Sequence, residues 1–336
     1  MPSTPVIQVE NLRKAYGSKV AVEDVSLTVA RGEIVGILGP NGAGKTTTVE
    51  CLAGLRAPDS GRVRVLGMDP QADKARVKEV LGMQLQESEL PAKITVREAM
   101  ELYASFYADP ADPAELLADL GLTDRAGAKF DQLSGGQKQR LSVALALVGN
   151  PQIAVLDELT TGLDPQARRD TWGLIERIRE RGVTVLLVTH FMEEAERLCD
   201  RVVLIDSGRV IATGTPAEVA EAASGGQHLR FRASAPVPTE DLEALPTVAS
   251  AHGPDPVGEY DVRGTGTVVQ DVLVALAARG VTADTVRVEG GTLDDAFVAL
   301  TTHDRAGAPP TGSAPSAPSA TAPSATTPSA TTPSEV

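Results

Sequence analysis

The chain has 336 residues, of which 42% are hydrophobic and 23% are charged, and its formal net charge is −14. Its length and composition are those of a globular protein with about two domains and a full apolar core. The acidic balance argues against a general nucleic-acid-binding protein, because such proteins need a basic face for phosphate contacts.

Two strands are predicted first, over residues 6–12 and 20–29, because apolar and polar residues alternate there. Tyr16 lies between them, and its ring could stack on a nucleobase. From this residue alone, an ordinary half-buried tyrosine is the favoured interpretation.

A phosphate loop is predicted next. Residues 33–38 read as a buried strand and residues 46–52 as the start of a helix, and the segment between them fits G-x-x-x-x-G-K-[ST]. Glycines let backbone N–H groups approach phosphate oxygens, and the helix N-terminus adds a partial positive charge. We expect Lys45 to reach the β- and γ-phosphates and Thr46 to hold Mg²⁺. The predicted nucleotide contacts in this segment are Gly39, Pro40, Asn41, Gly42, Ala43, Gly44, Lys45, Thr46 and Thr47.

A helical insertion follows. A strand over residues 80–85 is predicted to end just before Gln86. Apolar residues then recur at helical spacing over residues 95–107, and a shorter helix is predicted over residues 112–120. We interpret residues of about 87–150 as a helical subdomain within an alternating α/β pattern.

Ser134, Gly135, Gly136 and Gln137 open an apolar helix inside this segment. Two glycines at a helix N-terminus make a second anion-binding position. A plain capped helix explains the same residues, because serine is a good N-cap.

Two carboxylates end the next buried strand. Residues 153–156 are an apolar run, and Asp157 and Glu158 follow at the edge where sheets of this kind bind ligands. Asp157 could hold magnesium, and Glu158 could act as a general base on water. An acidic strand-to-loop junction is common, but a phosphate loop on a neighbouring strand favours the catalytic interpretation.

Asp164 is predicted to cap a helix that begins at Pro165. The start of a helix is enough to explain why Asp and Pro occupy these two positions. A further buried strand over residues 183–188 is followed by His190, which could contact a γ-phosphate. A histidine at a strand end is more often structural, so both interpretations stay open.

A composition shift near residue 222 predicts a domain boundary. Residues 1–222 form the predicted first domain, and residues 223–303 a small α+β domain in which we find no catalytic constellation. Residues 304–336 are rich in Pro, Ala, Ser and Thr, so they cannot bury a core and predict a disordered tail.

Cys51 and Cys199 lack the spacing of a metal knuckle or a disulfide framework, so we expect reduced thiols. The longest apolar runs fall far short of the about 20 residues that a membrane-spanning helix needs. The first residues lack the charged and apolar regions of a signal peptide. Any membrane-spanning part is therefore expected on another chain.

Taken together and in this order, the motifs resemble those of the ATP-binding cassette (ABC) ATPases over residues of about 6–222. We therefore expect an α/β fold of the P-loop NTPase class, namely an ABC-type nucleotide-binding domain with its helical subdomain, followed by the small α+β domain and the tail. The roles that the resemblance implies are adenine stacking for Tyr16, magnesium contact and sensing of the membrane partner for Gln86, the signature for Ser134 to Gln137, the catalytic acidic pair for Asp157 and Glu158, the D-loop for Asp164, and the switch histidine for His190.

The resemblance also implies cofactors and partners. ATP and Mg²⁺ would be bound by two chains paired head to tail, as a homodimer or a heterodimer, with each ATP between Lys45 of one and Ser134 to Gly136 of the other. Motion would pass through Gln86 to an integral-membrane permease on a separate chain, at the cytoplasmic face of the cell membrane. No nucleic-acid partner is expected. The family usually has proline after the catalytic glutamate, whereas this chain has Leu159, and we expect a small effect there.

Residues 292–297 resemble the C-terminal extension of drug-exporter ATPases similar to daunorubicin-resistance pumps, so export of a drug or another hydrophobic compound is the expected function. The ATPase of an ABC importer stays open as an alternative. A non-transport ABC protein is disfavoured, because translation factors of the family normally carry two cassettes and chromosome-maintenance ATPases carry a long coiled-coil insertion. The signature and the acidic pair argue against a small-molecule kinase.

Overall fold

The computed structural model describes residues 5–84, 90–224, 226–289 and 291–306. Gln86 and residues 307–336, which include most of the predicted tail, lie outside the described residues. Within the described ranges, no helix combines the length and the apolarity that crossing a bilayer requires.

The described part of the chain contains strands and helices in alternation. The strands are β1 (Ile7–Tyr16), β2 (Lys19–Val29), β3 (Ile34–Leu38), β4 (Ser60–Val65), β5 (Leu81–Gln84), β6 (Ile153–Asp157), β7 (Thr184–Thr189), β8 (Arg201–Asp206), β9 (Arg209–Gly214), β10 (Gln227–Ala233), β11 (Val248–His252), β12 (Glu259–Gly264) and β13 (Ala283–Glu289). The helices are α1 (Lys45–Leu52), α2 (Lys74–Val80), α3 (Val96–Ala104), α4 (Pro113–Asp119), α5 (Gly135–Leu147), α6 (Pro165–Glu180), α7 (Met192–Leu198), α8 (Pro216–Ser224), α9 (Thr239–Glu243), α10 (Val268–Ala278) and α11 (Leu293–Ala306).

The larger sheet has the strand order β4-β1-β2-β9-β8-β3-β7-β6-β5. β3 lies between β8 and β7 and is parallel to both, and β6 lies between β7 and β5 and is parallel to both. β3, β6 and β7 are buried along their whole length, which explains why their sequences read as continuous apolar runs. The predicted α/β class is confirmed, and the carboxyl ends of these three strands meet at one edge.

The segment between β5 and β6 contains α3, α4 and α5, so the predicted helical insertion is present. Thr95 and Glu98 form a capping box at the start of α3, and Ser134 and Gln137 form another at the start of α5. The apolar faces of the three helices pack into the same core as β6 and β7. These caps begin the helices near the predicted positions, while α3 and α4 are each shorter than predicted.

A second sheet, with the strand order β11-β12-β10-β13, is antiparallel throughout. Leu229 and Phe231 of β10 and Tyr260 of β12 are fully buried in a separate apolar core, and α10 packs on it through Val272 and Leu276. This unit is the predicted α+β segment. β11 and β12 were not predicted, because charged residues flank the buried positions of β12 and β11 buries only Ala251.

The last described helix, α11, returns to the first domain and packs against α8 and α7. Thr292 and Asp295 form the predicted capping box at its start. Leu293 and Ala296 are fully buried in the core of the first domain, and the Leu293 backbone N–H donates to Glu196 Oε1 at 2.8 Å. The division at residues 222 and 303 stays a prediction, and the structure adds that the second unit is anchored to the first at both its ends.

Replacing Leu293 by alanine is expected to destabilise the protein by about 2–5 kcal/mol, because it leaves a cavity at a fully buried interface. Chemical unfolding followed by tryptophan fluorescence measures the loss. Val298→Ala on the same helix is the matched control, since Val298 is 60% exposed and its truncation should cost under about 0.5 kcal/mol. Equal losses in both variants would contradict the packing described here.

Candidate functional site

The loop between β3 and α1 has a backbone that requires glycine at two positions. Gly39 has φ 152° and Gly44 has φ 103°. A Cβ on Gly39 would lie 2.0 Å from the Ile205 carbonyl oxygen, and one on Gly44 would lie 2.4 Å from the Ala21 carbonyl oxygen. The loop therefore packs closely against neighbouring backbone, and side chains larger than hydrogen would not fit at these two positions.

Lys45, the first residue of α1, is buried and folds back over this loop. Its Nζ donates to the carbonyl oxygens of Gly39 at 2.8 Å and Pro40 at 3.1 Å. Burial lowers the pKa of Lys45, and the carboxylates of Glu158 and Asp157 oppose that effect. The ammonium group is thus held at the centre of the loop, beside the acidic pair.

Asp157 ends β6 as a fully buried carboxyl group, and its backbone N–H donates to Gln84 Oε1 at 3.1 Å. Burial raises the pKa of Asp157 to about 6, the charge of Glu158 adds to this, and Lys45 opposes it. Within the residues that the structure describes, neither carboxylate oxygen has a hydrogen-bond partner. Two uncompensated buried oxygens fit a group that receives a cation.

The described residues contain no cluster of three or more His, Cys, Asp or Glu side chains that could hold a metal ion by themselves. A magnesium ion bound with a nucleotide does not need one, because phosphate oxygens and waters supply most of its ligands. The orphaned oxygens of Asp157, which adjoins the cavity residue Glu158, and the hydroxyl of Thr46, which lines that cavity, suit such an ion. Gln86, the third predicted ligand, lies outside the described residues.

Glu158 and His190 stand together at the edge of the sheet. Glu158 Oε1 and His190 Nδ1 are 3.2 Å apart, although the two residues follow different strands. Glu158 has φ 49°, a left-handed conformation that is uncommon outside glycine and is often found at functional sites. Leu159, which replaces the usual proline, is fully buried in the core. The arrangement can orient a water molecule and a phosphate oxygen at one point.

A cavity of about 420 Å³ joins the loop to the acidic edge. Its lining side chains and backbone belong to Tyr16, Lys19, Ala21, Asn41, Gly42, Gly44, Lys45, Thr46, Thr47 and Glu158. The structure thus brings Tyr16 to the same cavity as the phosphate loop, and the residue is 42% exposed. Sequence reasoning missed Lys19 and Ala21. Lys19 pairs with Tyr16 across the tight β1–β2 connection, so the short distance between these two residues in the sequence was a signal that could have identified Lys19.

Two predicted motifs lie outside this cavity. Ser134 and Gln137 form the capping box that opens α5, and Asp164 Oδ1 accepts the backbone N–H groups of Gln166 and Ala167 at the start of α6. Ser134 and Gly135 are exposed. Within one chain, these residues therefore do not contact the pocket that Lys45 and Glu158 share.

Replacing Asp157 by asparagine is expected to stabilise the nucleotide-free protein in a chelator at pH 8. The folded pKa of about 6 lies above the usual 3.8, so ionisation is disfavoured by folding. The destabilisation of the wild-type protein by ionised Asp157 is absent below pH 4 and grows as the pH rises towards 6. Above pH 6 it reaches roughly 3 kcal/mol. Urea unfolding of both proteins at pH 4 and pH 8 measures the difference between their free energies of unfolding. A difference that is the same at both pH values would contradict the raised pKa of Asp157.

Comparison with known proteins places this geometry among nucleotide-driven transport proteins. The family model described as "ABC transporter" matches residues 22–161. Nod factor export ATP-binding protein I of Burkholderia lata is 45% identical over 231 residues, which are 67% of this chain and 75% of the relative.

Solved structures agree with this relationship. The chain is similar to cbiO1 from Clostridium perfringens, part of the ABC transporter complex cbiONQ, with a TM-score of 0.59 and 29% identity over 64% of this chain and 90% of that one. It is also similar to the dimeric bacterial ABC transporter cassette MJ0796, with a TM-score of 0.56 and 29% identity over 62% of this chain and 98% of that one.

Proposed function

Since this chain belongs to the ABC transporter family, as an ATP-binding subunit whose ATPase activity is coupled to transport, we propose that it drives the export of a drug or another hydrophobic compound through a membrane permease on a separate chain. The observation that carries the ATP-hydrolysing part of the proposal is the juxtaposition of the phosphate loop, the buried Asp157 and the Glu158–His190 pair at one sheet edge. The relatives' printed name, an export ATP-binding protein, supports the direction of transport.

Each residue at this edge has a proposed role in ATP hydrolysis. Lys45 binds the β- and γ-phosphates together with the loop N–H groups, and Tyr16 stacks on the adenine. Glu158 accepts a proton from the attacking water, and His190 contacts the γ-phosphate. Thr46 and Asp157 would hold Mg²⁺. When bound, that ion neutralises charge on the phosphate oxygens.

The second half of the site is proposed to come from another copy of the chain. Ser134 to Gln137 and Asp164 lie outside the cavity of their own chain and cap exposed helix N-termini, which suit anions. A head-to-tail dimer would bring Ser134 to Gly136 of one copy to the nucleotide of the other. The dimeric structure of the related cassette MJ0796 supports this proposal.

The protein is proposed to act at the cytoplasmic face of the cell membrane, bound to its permease. In this proposal the permease chain builds the route for the cargo. The resemblance of residues 292–297 to the C-terminal extension of daunorubicin-type exporters supports a hydrophobic cargo.

The test uses inverted membrane vesicles that contain this chain and a membrane permease that co-purifies with it. ATP-dependent accumulation of a hydrophobic fluorescent dye inside the vesicles is the expected result, and Glu158→Gln vesicles should accumulate none. Hydrolysis of ATP without dye movement would contradict drug export. ATP-driven loss of preloaded dye would instead indicate import.

A further inference from the structure

Tyr16, the residue assigned above to stacking on the adenine, ends β1 and is 42% exposed. An exposed ring keeps rotational freedom, and binding of a base has to remove that freedom at a cost in affinity. Groups that fix the ring in advance therefore strengthen base stacking. The structure places two cationic side chains against this ring.

Both cations lie within the distance at which a charge interacts with an aromatic ring. Lys14 Nζ is 5.7 Å from the centroid of the Tyr16 ring, and the guanidinium carbon of Arg56 is 5.8 Å from it. Tyr16 lines the nucleotide cavity, whereas Lys14 and Arg56 are not among the described residues that line it. The two cations are therefore not expected to occupy the space of a bound base.

A carboxylate holds Lys14 in place. Lys14 Nζ donates to Asp59 Oδ1 at 2.8 Å, and Asp59 Oδ2 accepts the backbone N–H of Ala15 at 2.7 Å. The backbone N–H of Asp59 donates in turn to the carbonyl oxygen of Arg13 at 2.9 Å. Asp59, immediately before β4, thus fixes the three consecutive residues of β1 that precede Tyr16.

A second carboxylate holds Arg56. Its Nε donates to Glu50 Oε2 at 3.0 Å, and Glu50 belongs to α1, the helix that follows the phosphate loop. The backbone of Arg56 is fixed as well, because its N–H donates to the Glu50 carbonyl oxygen at 3.1 Å and its carbonyl oxygen accepts from Gln71 Nε2 at 2.7 Å. The guanidinium thus connects the ring of Tyr16 to α1.

Ion pairs as exposed as these contribute little to folding stability, so stability alone is a weak reason for two of them to meet at one ring. We propose that Lys14 and Arg56 are positioning residues for nucleotide binding, which together fix the Tyr16 ring for stacking on the adenine. They act through Tyr16 and do not touch the nucleotide. The inference rests on the adenine-stacking role proposed above for Tyr16.

The test measures the dissociation constants of ATP and of inorganic tripolyphosphate, each with Mg²⁺, for Arg56→Gln and Lys14→Gln in the full chain. Tripolyphosphate has the phosphates but no base, so its binding reports on the phosphate loop alone. Loss of one cation–π contact is expected to weaken ATP binding about two- to fivefold. Tripolyphosphate binding and the kcat at saturating ATP should not change, because neither depends on the ring.

Arg76→Gln is the matched control, because Arg76 is an exposed arginine that also pairs with a carboxylate, that of Asp73, at 3.5 Å. This variant should bind both ligands as the wild type does. A double-mutant cycle then isolates the ring, since Arg56→Gln should have no further effect on ATP binding in the Tyr16→Ala background. An additive loss in the double variant would overturn the proposal, because the cation would then act without the ring.

A merely structural role would lower the thermal midpoint of Arg56→Gln and leave the ratio of the two dissociation constants at its wild-type value, and that result would overturn the proposal. An equal loss of affinity for ATP and for tripolyphosphate would do so too, because it would indicate a disturbed phosphate loop. If Lys14→Gln does not fold, the more exposed Arg56→Gln decides.

Tyr16→Ala separates this proposal from the proposed function. If Tyr16→Ala binds ATP as the wild type does, adenine stacking is removed, and the roles of Lys14 and Arg56 are removed with it. If Tyr16→Ala weakens the binding of ATP but not of tripolyphosphate, while Arg56→Gln and Lys14→Gln bind ATP normally, adenine stacking stands and only the positioning role is removed.

Discussion

Glu158→Gln is expected to lower the kcat for ATP hydrolysis by at least about 100-fold, because a positioned general base contributes about 10²- to 10⁴-fold. The amide has the shape of the carboxyl group, so the left-handed backbone at this position and the core behind Leu159 should be unaffected. ATP binding should persist, since the phosphate contacts of Lys45 and the loop are intact. Phosphate release and equilibrium binding of a fluorescent ATP analogue measure the two effects.

The same variant should accumulate as an ATP-bound dimer, because the step that reopens the proposed dimer is blocked. Size-exclusion chromatography with ATP and Mg²⁺ detects it. Glu193→Gln is the matched control, because Glu193 lies close in sequence to His190 but its side chain is 71% exposed. Its ion pair with Arg168, at 3.8 Å, is a surface contact. Such pairs contribute about 0–1 kcal/mol, so this variant should hydrolyse ATP normally. Full turnover in Glu158→Gln would contradict the assigned base.

Lys45→Met is expected to weaken ATP binding by at least about 100-fold. Its Nζ is held by two carbonyl oxygens of the loop that is proposed to bind the phosphates. Two charge-assisted hydrogen bonds to phosphate oxygens are worth roughly 3 kcal/mol or more, which is a factor of about 100 in the dissociation constant. Equilibrium binding and the ATPase rate should fall together.

The fold should survive this change, because Met has a similar length and does not need to be desolvated as a charge. Burial already lowers the pKa of Lys45, which indicates that the folded state disfavours its ammonium form. Lys74→Met, at an exposed position at the start of α2, is the control for lost charge and should bind ATP within about twofold of wild type. A Lys45→Met protein that binds ATP normally would contradict the role of the loop.

Most of the first domain could be predicted from sequence because its signals are local. The runs of β3, β6 and β7 are apolar throughout since both faces of each strand are covered, and Ser134 and Asp164 cap their helices through bonds that span two or three residues. The pattern of the phosphate loop is local as well. These signals depend little on which strands become neighbours, so no knowledge of the tertiary structure was needed.

The environments of individual side chains could not be predicted in the same way. Tyr16 reads as an ordinary tyrosine until β1, β2 and α1 place it at the cavity of Lys45. His190 stays ambiguous until β6 and β7 pair and bring Glu158 to 3.2 Å. In each case the deciding contact is made across the sheet. The residues next to each side chain in the sequence therefore do not indicate that contact.

The return of α11 to the first domain has a consequence for synthesis on the ribosome. Roughly 100 residues separate α7 from α11, and at about 5–20 residues per second their translation takes about 5–20 s. During that interval the nascent first domain presents an uncovered apolar surface on α7 and α8, which Leu293 and Ala296 later cover together with the partly buried Phe297 and Leu300. A chaperone that recognises exposed apolar residues could therefore distinguish an unfinished chain from a finished one at this surface.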